Sequence, residues 1–270
     1  MRGSKTVSGK SDRSSWDKRQ ATLILYIFAD RVSRIKPKII FHATSRNSIW
    51  RTEQHLWNTG GVSVELNSTA YNNEKLFLAL IDDELFSTLQ HSKDLDSLPY
   101  PDYESLLLID VAGFHTTDTV LEKLPAAPIT TSLISSDCTG LHQPLDIVIN
   151  KPFKGYLREY MDTYIETDSD SIEKWSVSDK RIMITNGVAE AWAAFSAEKY
   201  QVIQKAFQDL GVTLPVNGQQ DNEIRIKGFD QVEIRNWTKD LPLPLPFHPM
   251  ESHCPLPIEP PASEDPLEFV

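Results

Sequence analysis

Two aspartates are the residues of this chain whose types and positions could do chemistry together. Asp110 ends an apolar run at residues 106–109, which has the length and continuity of a strand buried on both faces. An acid at the end of such a strand lies at the sheet edge where α/β proteins place their sites. Asp146 follows Pro144, and proline favours the first turn of a helix because its missing N–H has no partner there. Carboxylates from a strand end and a helix start could together hold Mg²⁺, which keeps several waters and can receive phosphate.

Both acids also have ordinary structural interpretations. An aspartate in the first turn of a helix stabilises the helix dipole, and an aspartate after a strand commonly starts a turn. Thirty-five residues separate Asp110 from Asp146, and this spacing alone favours the structural roles over a metal site. Asn150 lies four residues after Asp146, so the two share one helix face if the helix continues.

The residues around the two acids resemble a known family. The stretch LLLIDVAGFHTTDTVLEKL and the later CTGLHQPLDIVINKPFKGYLRE are similar to the core of the DDE superfamily endonucleases, of the pogo/Tigger transposase type. In that family the strand-end acid is followed five residues later by histidine, here Asp110 and His115. The signature CTSLLQPLD-x-x-x-NKPFK-x-x-LR is matched at residues 138–158, and the resemblance extends over roughly residues 1–235.

The resemblance implies a fold, a reaction and a set of site residues. It implies an RNase H-like mixed sheet with flanking helices, in a nuclear protein that cuts and joins DNA. The family's chemistry uses two Mg²⁺ or Mn²⁺ ions held by three acids, and Asp110 and Asp146 are expected to be two of these catalytic, metal-binding acids. Five further residues are expected to contact nucleic acid, namely His115, Asn150, Lys151, Lys154 and Arg158.

Simpler interpretations of these five residues stay open. Lys151, Lys154 and Arg158 are spaced to form one cationic stripe, which could be a solvated helix face. The resemblance implies that His115 orients a carboxylate or touches phosphate, whereas a lone histidine near a helix start is otherwise usually a cap or a surface residue.

The chain departs from the family pattern in ways that bear on activity. In the family the first acid lies on a strand that precedes the segment resembling residues 1–7, so we expect this chain to lack that strand and that acid. Arg31 stands where the family's turn has glycine, and residues 134–137 read ISSD where the family has IPGG. These departures predict an impaired nuclease of transposon origin. A non-catalytic DNA-binding module and a non-functional gene fragment are the alternatives, and a homo-oligomer is left open.

The charge distribution is uneven along the chain. The net charge is −11, yet residues 1–51 carry twelve Lys or Arg against three Asp, a local charge of +9. This asymmetry indicates either a basic surface for a phosphate backbone or a solvated basic arm.

Composition excludes several other classes of protein. The two cysteines, Cys138 and Cys254, form neither a disulfide framework nor a paired metal motif. No apolar run approaches the ~20 residues that cross a bilayer, so we expect no membrane partner.

The pattern of apolar residues predicts the elements that position the two acids. Strands are expected at residues 22–28 and 35–42, paired as a hairpin, then at 62–66, 106–110 and 129–134. A helix is expected at 72–89 with Asn67 or Ser68 as its cap, and further helices at 116–124, from Pro144, and from Ser178 and Ser196. We predict three segments: a partial RNase H-like domain lacking its first strand at residues 1–178, a helical C-terminal extension at 179–235, and a Pro-rich, acidic, disordered tail at 236–270.

Overall fold

The computed structural model describes residues 21–30, 32–87, 105–126, 129–167 and 174–226, together with the backbone of residues 267–269. The predictions made for the basic residues 1–20, for Arg31 and for Cys254 lie outside the described residues.

The first sheet is mixed and contains four strands in the order β3-β2-β1-β6. Its strands are β1 (Ala21–Ile24), β2 (Lys38–His42), β3 (Ser63–Asn67) and β6 (Leu267–Phe269). The predicted hairpin is confirmed, since β1 runs antiparallel to β2, although β1 ends four residues earlier than expected. The other two pairs, β2 with β3 and β1 with β6, are parallel. Three residues of the predicted disordered tail therefore form a strand.

The second sheet contains two parallel strands, β4 (Ser105–Asp110) and β5 (Ile129–Ile134). The helix α3 (Asp118–Lys123) lies between them in the chain, which is the predicted strand–helix–strand crossover. In the register of this pair Asp110 is opposite Ile134, so the expected acid does stand at the end of its strand.

Both sheets contribute to the same two layers of core. On one side, Leu23 of β1 and Ile39 of β2 pack in a cluster that also includes Phe153, and Leu108 of β4 packs against it. On the other side, Ile24 and Ile40 share a cluster with Phe77, and Leu107 and Ile109 of β4 pack against that cluster. Successive side chains along each strand therefore point to opposite faces and pack against two different helical layers.

The strand β4 is less buried than its apolar sequence predicts. Leu106 is 51% exposed, and the remaining residues of the strand are only half-buried. The prediction of burial on both faces is therefore wrong for β4. The physical reason is that β4 pairs with only one neighbour among the described strands, β5, which leaves its other edge without a flanking strand.

The helices before β4 differ from the predictions in number and in where they begin. Between β2 and β3 lies α1 (Arg46–Glu53), which the sequence analysis missed. The expected helix at 72–89 is α2 (Glu74–Leu80), and it continues as a π-helical turn, Ile81–Phe86. The prediction that Asn67 or Ser68 caps this helix is wrong, because the side chain of Asn73 accepts the Leu76 N–H at 3.0 Å.

The helices after β5 form the layer on the side of the sheets that Leu108 of β4 faces. After the short α4 (Thr139–His142), a π-helical turn (Leu145–Ile149) leads into α5 (Asn150–Thr167). The next helix, α6 (Val177–Glu198), packs along α5, and α7 (Tyr200–Asp209) follows it.

The caps of the last two helices also differ from the predictions. Ser176, not Ser178, caps α6, because its hydroxyl accepts the N–H of Asp179 while the Asp179 carboxylate accepts the N–H of Ser176. The residue before α7 is Lys199, so the expected cap by Ser196 is wrong as well.

The helix α6 bears on the predicted division of the chain. The proposed boundary after residue 178 falls two residues inside α6, whose residues Val188, Trp192 and Phe195 belong to the same cluster as β1. The three-segment division stays a prediction.

One buried ion pair ties α1 to α6. Arg181 Nε donates to Glu53 at 2.7 Å, and its Nη2 donates to the other carboxylate oxygen. The two residues are 128 positions apart in sequence and are only 8% and 6% exposed.

Among the helices of the described residues, none has the length and apolar character that a bilayer-spanning helix needs.

Candidate active site

The strand β4 and the loop after it position Asp110. One carboxylate oxygen, Oδ1, lies 2.7 Å from His115 Nδ1 and also accepts the Ala112 N–H at 3.3 Å. The backbone N–H of His115 donates to the carbonyl of Ala112 at 2.8 Å, which closes the loop between the strand and α3. The loop that follows Asp110 thus holds its carboxylate in place, while the side chain is 27% exposed.

His115 is buried, at 6% exposure, and is held by aromatic rings. Its ring centroid is 4.4 Å from that of Phe77 on α2 and 4.3 Å from that of Phe114. Besides the Asp110 carboxylate, Nδ1 also lies 3.0 Å from the Asp110 carbonyl oxygen. Both of these neighbours are acceptors, so we assign the proton of the ring to Nδ1, which donates to Asp110.

This contact controls the protonation of Asp110. The hydrogen bond from His115 lowers the pKa of Asp110 below its usual value, and it outweighs the opposing effect of partial burial. Asp110 is therefore kept ionised; Oδ1 is hydrogen-bonded to His115, and no hydrogen bond from the described residues reaches the other oxygen.

The turn before α5 positions Asp146. Asp146 lies within the π-helical turn. Its backbone N–H donates to the carbonyl of Gln143, which precedes that turn, at 3.1 Å. The side-chain amide of Asn150, one helical turn later, donates to Asp146 Oδ1 at 2.8 Å. The prediction that these two residues share a helix face is confirmed.

Asp146 has the opposite electrostatic setting from Asp110. Although the residue is exposed overall, protein around its carboxylate raises its pKa, and the negative charge of Asp110 raises the pKa further. The hydrogen bond from Asn150 and the charge of Lys154 oppose this rise. This effect indicates that Asp146 lies within range of the charge of Asp110, and the joint role of the two acids as metal ligands stays a prediction.

The residues at this position fit a divalent cation. Two repelling carboxylates are a setting that a bound cation relieves, and hard cations prefer oxygen ligands. Near them, the buried Asn150 Oδ1 accepts no hydrogen bond from the described residues, so this oxygen could serve as a metal ligand. Within the described part of the chain, no group of three or more His, Cys, Asp or Glu side chains is arranged to hold a metal.

The predicted cationic residues lie on α5, directly after Asp146. Lys151 and Arg158 are exposed, and Lys154 is half-buried with its charge acting on Asp146. The helix buries Phe153 and Leu157 between these positions, so the basic residues occupy its outer side. Contact of these residues with nucleic acid stays a prediction.

Sequence reasoning missed the aromatic support of His115. Phe114 precedes His115 in the chain and offered a local signal, whereas Phe77 comes from α2 and could not be found by spacing.

Comparison with known proteins identifies the family. The family model described as DDE superfamily endonuclease matches residues 18–207, more than half of the chain. The chain belongs to the DDE superfamily endonucleases. Neither a curated protein nor a solved structure matches it significantly. The mixed α/β architecture is compatible with this family, while the pogo/Tigger subtype and the RNase H-like topology stay predictions.

Proposed function

We propose that this chain is a transposase-derived DDE endonuclease domain that binds DNA and a divalent metal, Mg²⁺ or Mn²⁺, at Asp110 and Asp146, and that its cleavage activity is impaired. The observation that supports the proposal is the electrostatic effect of Asp110 on Asp146, together with the unsatisfied amide oxygen of Asn150, which follows Asp146 by one helical turn. The two acids supply at most two negative charges to a cation. Because affinity for hard cations rises with the charge of the ligand set, we expect weak metal binding and slow cleavage.

Each residue has a separate part in this proposal. When bound between the two acids, a divalent metal would polarise a phosphate oxygen and activate a water molecule. His115 holds Asp110 in its ionised state and leaves one of its oxygens available. The side-chain amide of Asn150 donates to one oxygen of Asp146 and opposes the rise of its pKa. His115 is a positioning residue in this account, because a ring 6% exposed presents little surface to a nucleic acid.

The basic residues of α5 support DNA binding next to the acids. Lys151 and Arg158 are exposed on a helix that begins next to Asp146, which would align a phosphate backbone with the proposed metal-binding position. The same residues support the second candidate, a DNA-binding module without cleavage. We propose a nuclear location on the ground of this DNA partner, which microscopy of the tagged chain would test.

The nuclease proposal is tested by nicking of supercoiled plasmid with Mg²⁺ or Mn²⁺. The expected result is slow, metal-dependent nicking that Asp146→Asn abolishes. Asp118→Asn is the matched control, because Asp118 is an exposed acid at the start of α3. A preparation whose nicking is the same with and without Asp146 contradicts cleavage at this site.

DNA binding is tested separately by salt titration. Phosphate contacts release counterions, so affinity should fall steeply as salt rises. Lys151→Glu and Arg158→Glu should each weaken binding. Lys75→Glu, an equally exposed lysine on α2 in the opposite helical layer, should not. Loss of nicking with DNA binding retained would select the second candidate function.

A further inference from the structure

The helical turn that carries Asp146 contains one more residue than an α-helical turn. The N–H of Ile147 donates to the carbonyl of Gln143 at 3.2 Å, which is the four-residue spacing of an α-helix. Three residues later the N–H of Asn150 donates to the carbonyl of Leu145, five residues back. The hydrogen-bond ladder therefore widens by one residue at Asp146.

Pro152 follows this wide turn and offers a physical reason for it. It is the third residue of α5, but the chain before it is already helical from Leu145 onward, so it lies inside a helical run. In an unbroken α-helix the N–H of residue 152 would donate to the carbonyl of Val148. Proline has no N–H, and its ring collides with that carbonyl. A wider turn before the proline moves the carbonyl away from the ring, so Pro152 favours the five-residue spacing.

The core fixes α5 on both sides of Pro152. Ile149 and Phe153 are fully buried in the same cluster. A change of spacing is therefore expected to leave α5 in place and to move the residues before Ile149. Asp146 is the acid among them, and the side-chain amide of Asn150 donates to its Oδ1 at 2.8 Å.

We propose that Pro152 is a positioning residue for Asp146, because it holds the turn Leu145–Ile149 in the wide spacing and so sets where the Asp146 carboxylate lies relative to Asn150 and Asp110. The importance of this position for metal binding rests on the proposed function, whereas the effect of Pro152 on the spacing does not.

NMR spectroscopy of Pro152→Ala in the full chain tests the spacing. The substitution supplies the missing N–H and removes the ring, so the N–H of Asn150 should move from the carbonyl of Leu145 to that of Asp146, four residues back. The Overhauser contact between the Asn150 N–H and the Asp146 Hα should strengthen, and the contact with the Leu145 Hα should weaken. The side-chain amide resonances of Asn150 should shift as well.

Gly155→Ala is the matched control for the NMR comparison. It also introduces an alanine into α5, at a position where the added Cβ would have no neighbour within 4 Å. The contacts between residues 145 and 150 should stay as they are in the unmodified chain. Unchanged contacts in Pro152→Ala would overturn the proposal, because another part of the fold would then set the spacing.

Mn²⁺ titration and urea denaturation of the same variants separate positioning from a purely structural role. The Mn²⁺ affinity of Pro152→Ala should fall about 10–100-fold, as it does when a residue that orients a metal ligand is lost. Its urea midpoint should stay the same or rise, because the variant gains a helical hydrogen bond. Altered spacing with unchanged affinity, or weaker binding with a lower midpoint, would overturn the proposal.

Failure of the proposed function gives a different result from failure of this inference. If the unmodified chain bound no Mn²⁺, the metal site at Asp146 would be contradicted. The Overhauser contacts of Asn150 would still decide whether Pro152 positions Asp146.

Discussion

Strands of similar apolar sequence are buried to different extents in the two sheets. All four residues of β1 are buried, and the central residues of β2 are buried with them. The strand β4 is as apolar, yet none of its residues is fully buried, and it is β4 that carries Asp110. The catalytic role proposed for Asp110 requires access to solvent and substrate, and the partial exposure of β4 provides it. The larger buried cluster lies between the first sheet, α5 and α6, and we expect this half to be the more stable one, whereas the proposed chemistry lies on the less buried β4.

The largest expected effect comes from the buried ion pair of the stable half. Arg181→Met leaves the Glu53 carboxylate buried without its partner, and we expect a loss of about 3–5 kcal/mol in the free energy of unfolding. The double variant Glu53→Leu/Arg181→Met should recover most of this loss, since it removes both charges. Urea denaturation measures both values. A double variant as unstable as the single one would show that the ion pair itself, not an unpaired charge, is what matters.

The contact between the turn before β3 and α6 should give the next largest effect. A Cβ at Gly61 would lie 2.5 Å from Ala189 Cβ, so Gly61→Ala should force α6 away and cost about 1–3 kcal/mol. At the adjacent Gly60 the nearest atom would be 3.6 Å away. Thermal denaturation of both variants measures the difference, and Gly60→Ala should be close to neutral. Equal effects at both positions would contradict the close approach of the turn to α6.

On the site half, His115 should affect metal binding more than stability. His115→Phe keeps an aromatic ring between Phe77 and Phe114 but removes the donor to Asp110, so Mn²⁺ affinity should fall about 10–100-fold. His115→Asn can still donate to Asp110 and should bind more tightly than His115→Phe. Titration of both variants measures the difference. Equal affinity in the two would indicate that His115 serves only packing.

The smallest expected effect is electrostatic. Burial and then the Asp110 charge raise the pKa of Asp146 in the folded chain, so Asp146 takes up a proton at a higher pH than it does when unfolded. Ionised Asp146 thus destabilises the fold above its raised pKa, and this cost is relieved as pH falls through it. Asp110→Asn should move the Asp146 pKa back toward 3.8 without reaching it, because burial remains. Carboxyl-carbon NMR titration measures the shift, and Asp118→Asn should leave it unchanged.

Local patterns carried the predictable part of this structure. The apolar run before Asp110 predicted its place at a strand end, and the four-residue spacing predicted the contact of Asn150 with Asp146. The cap of α6 was also readable, since Ser176 has Asp179 three residues later and Ser178 has no such partner.

Contacts between distant segments could not be predicted in the same way. The ring of Phe77 reaches His115 from α2, and Arg181 meets Glu53 across 128 positions. Neither pair has a spacing rule, because packing of separate elements brings it together. The partial exposure of β4 was missed for the same reason, as it depends on which strands flank it and not on its own sequence.

The most direct test of the central claim is calorimetric titration of Mn²⁺ into the full chain, with Asp110→Asn, Asp146→Asn and Asp118→Asn in parallel. We expect weak but saturable binding to one class of site, lost in the first two variants and retained in Asp118→Asn. Binding that survives both Asp110→Asn and Asp146→Asn, or no binding to the unmodified chain, would contradict a metal site at the two aspartates.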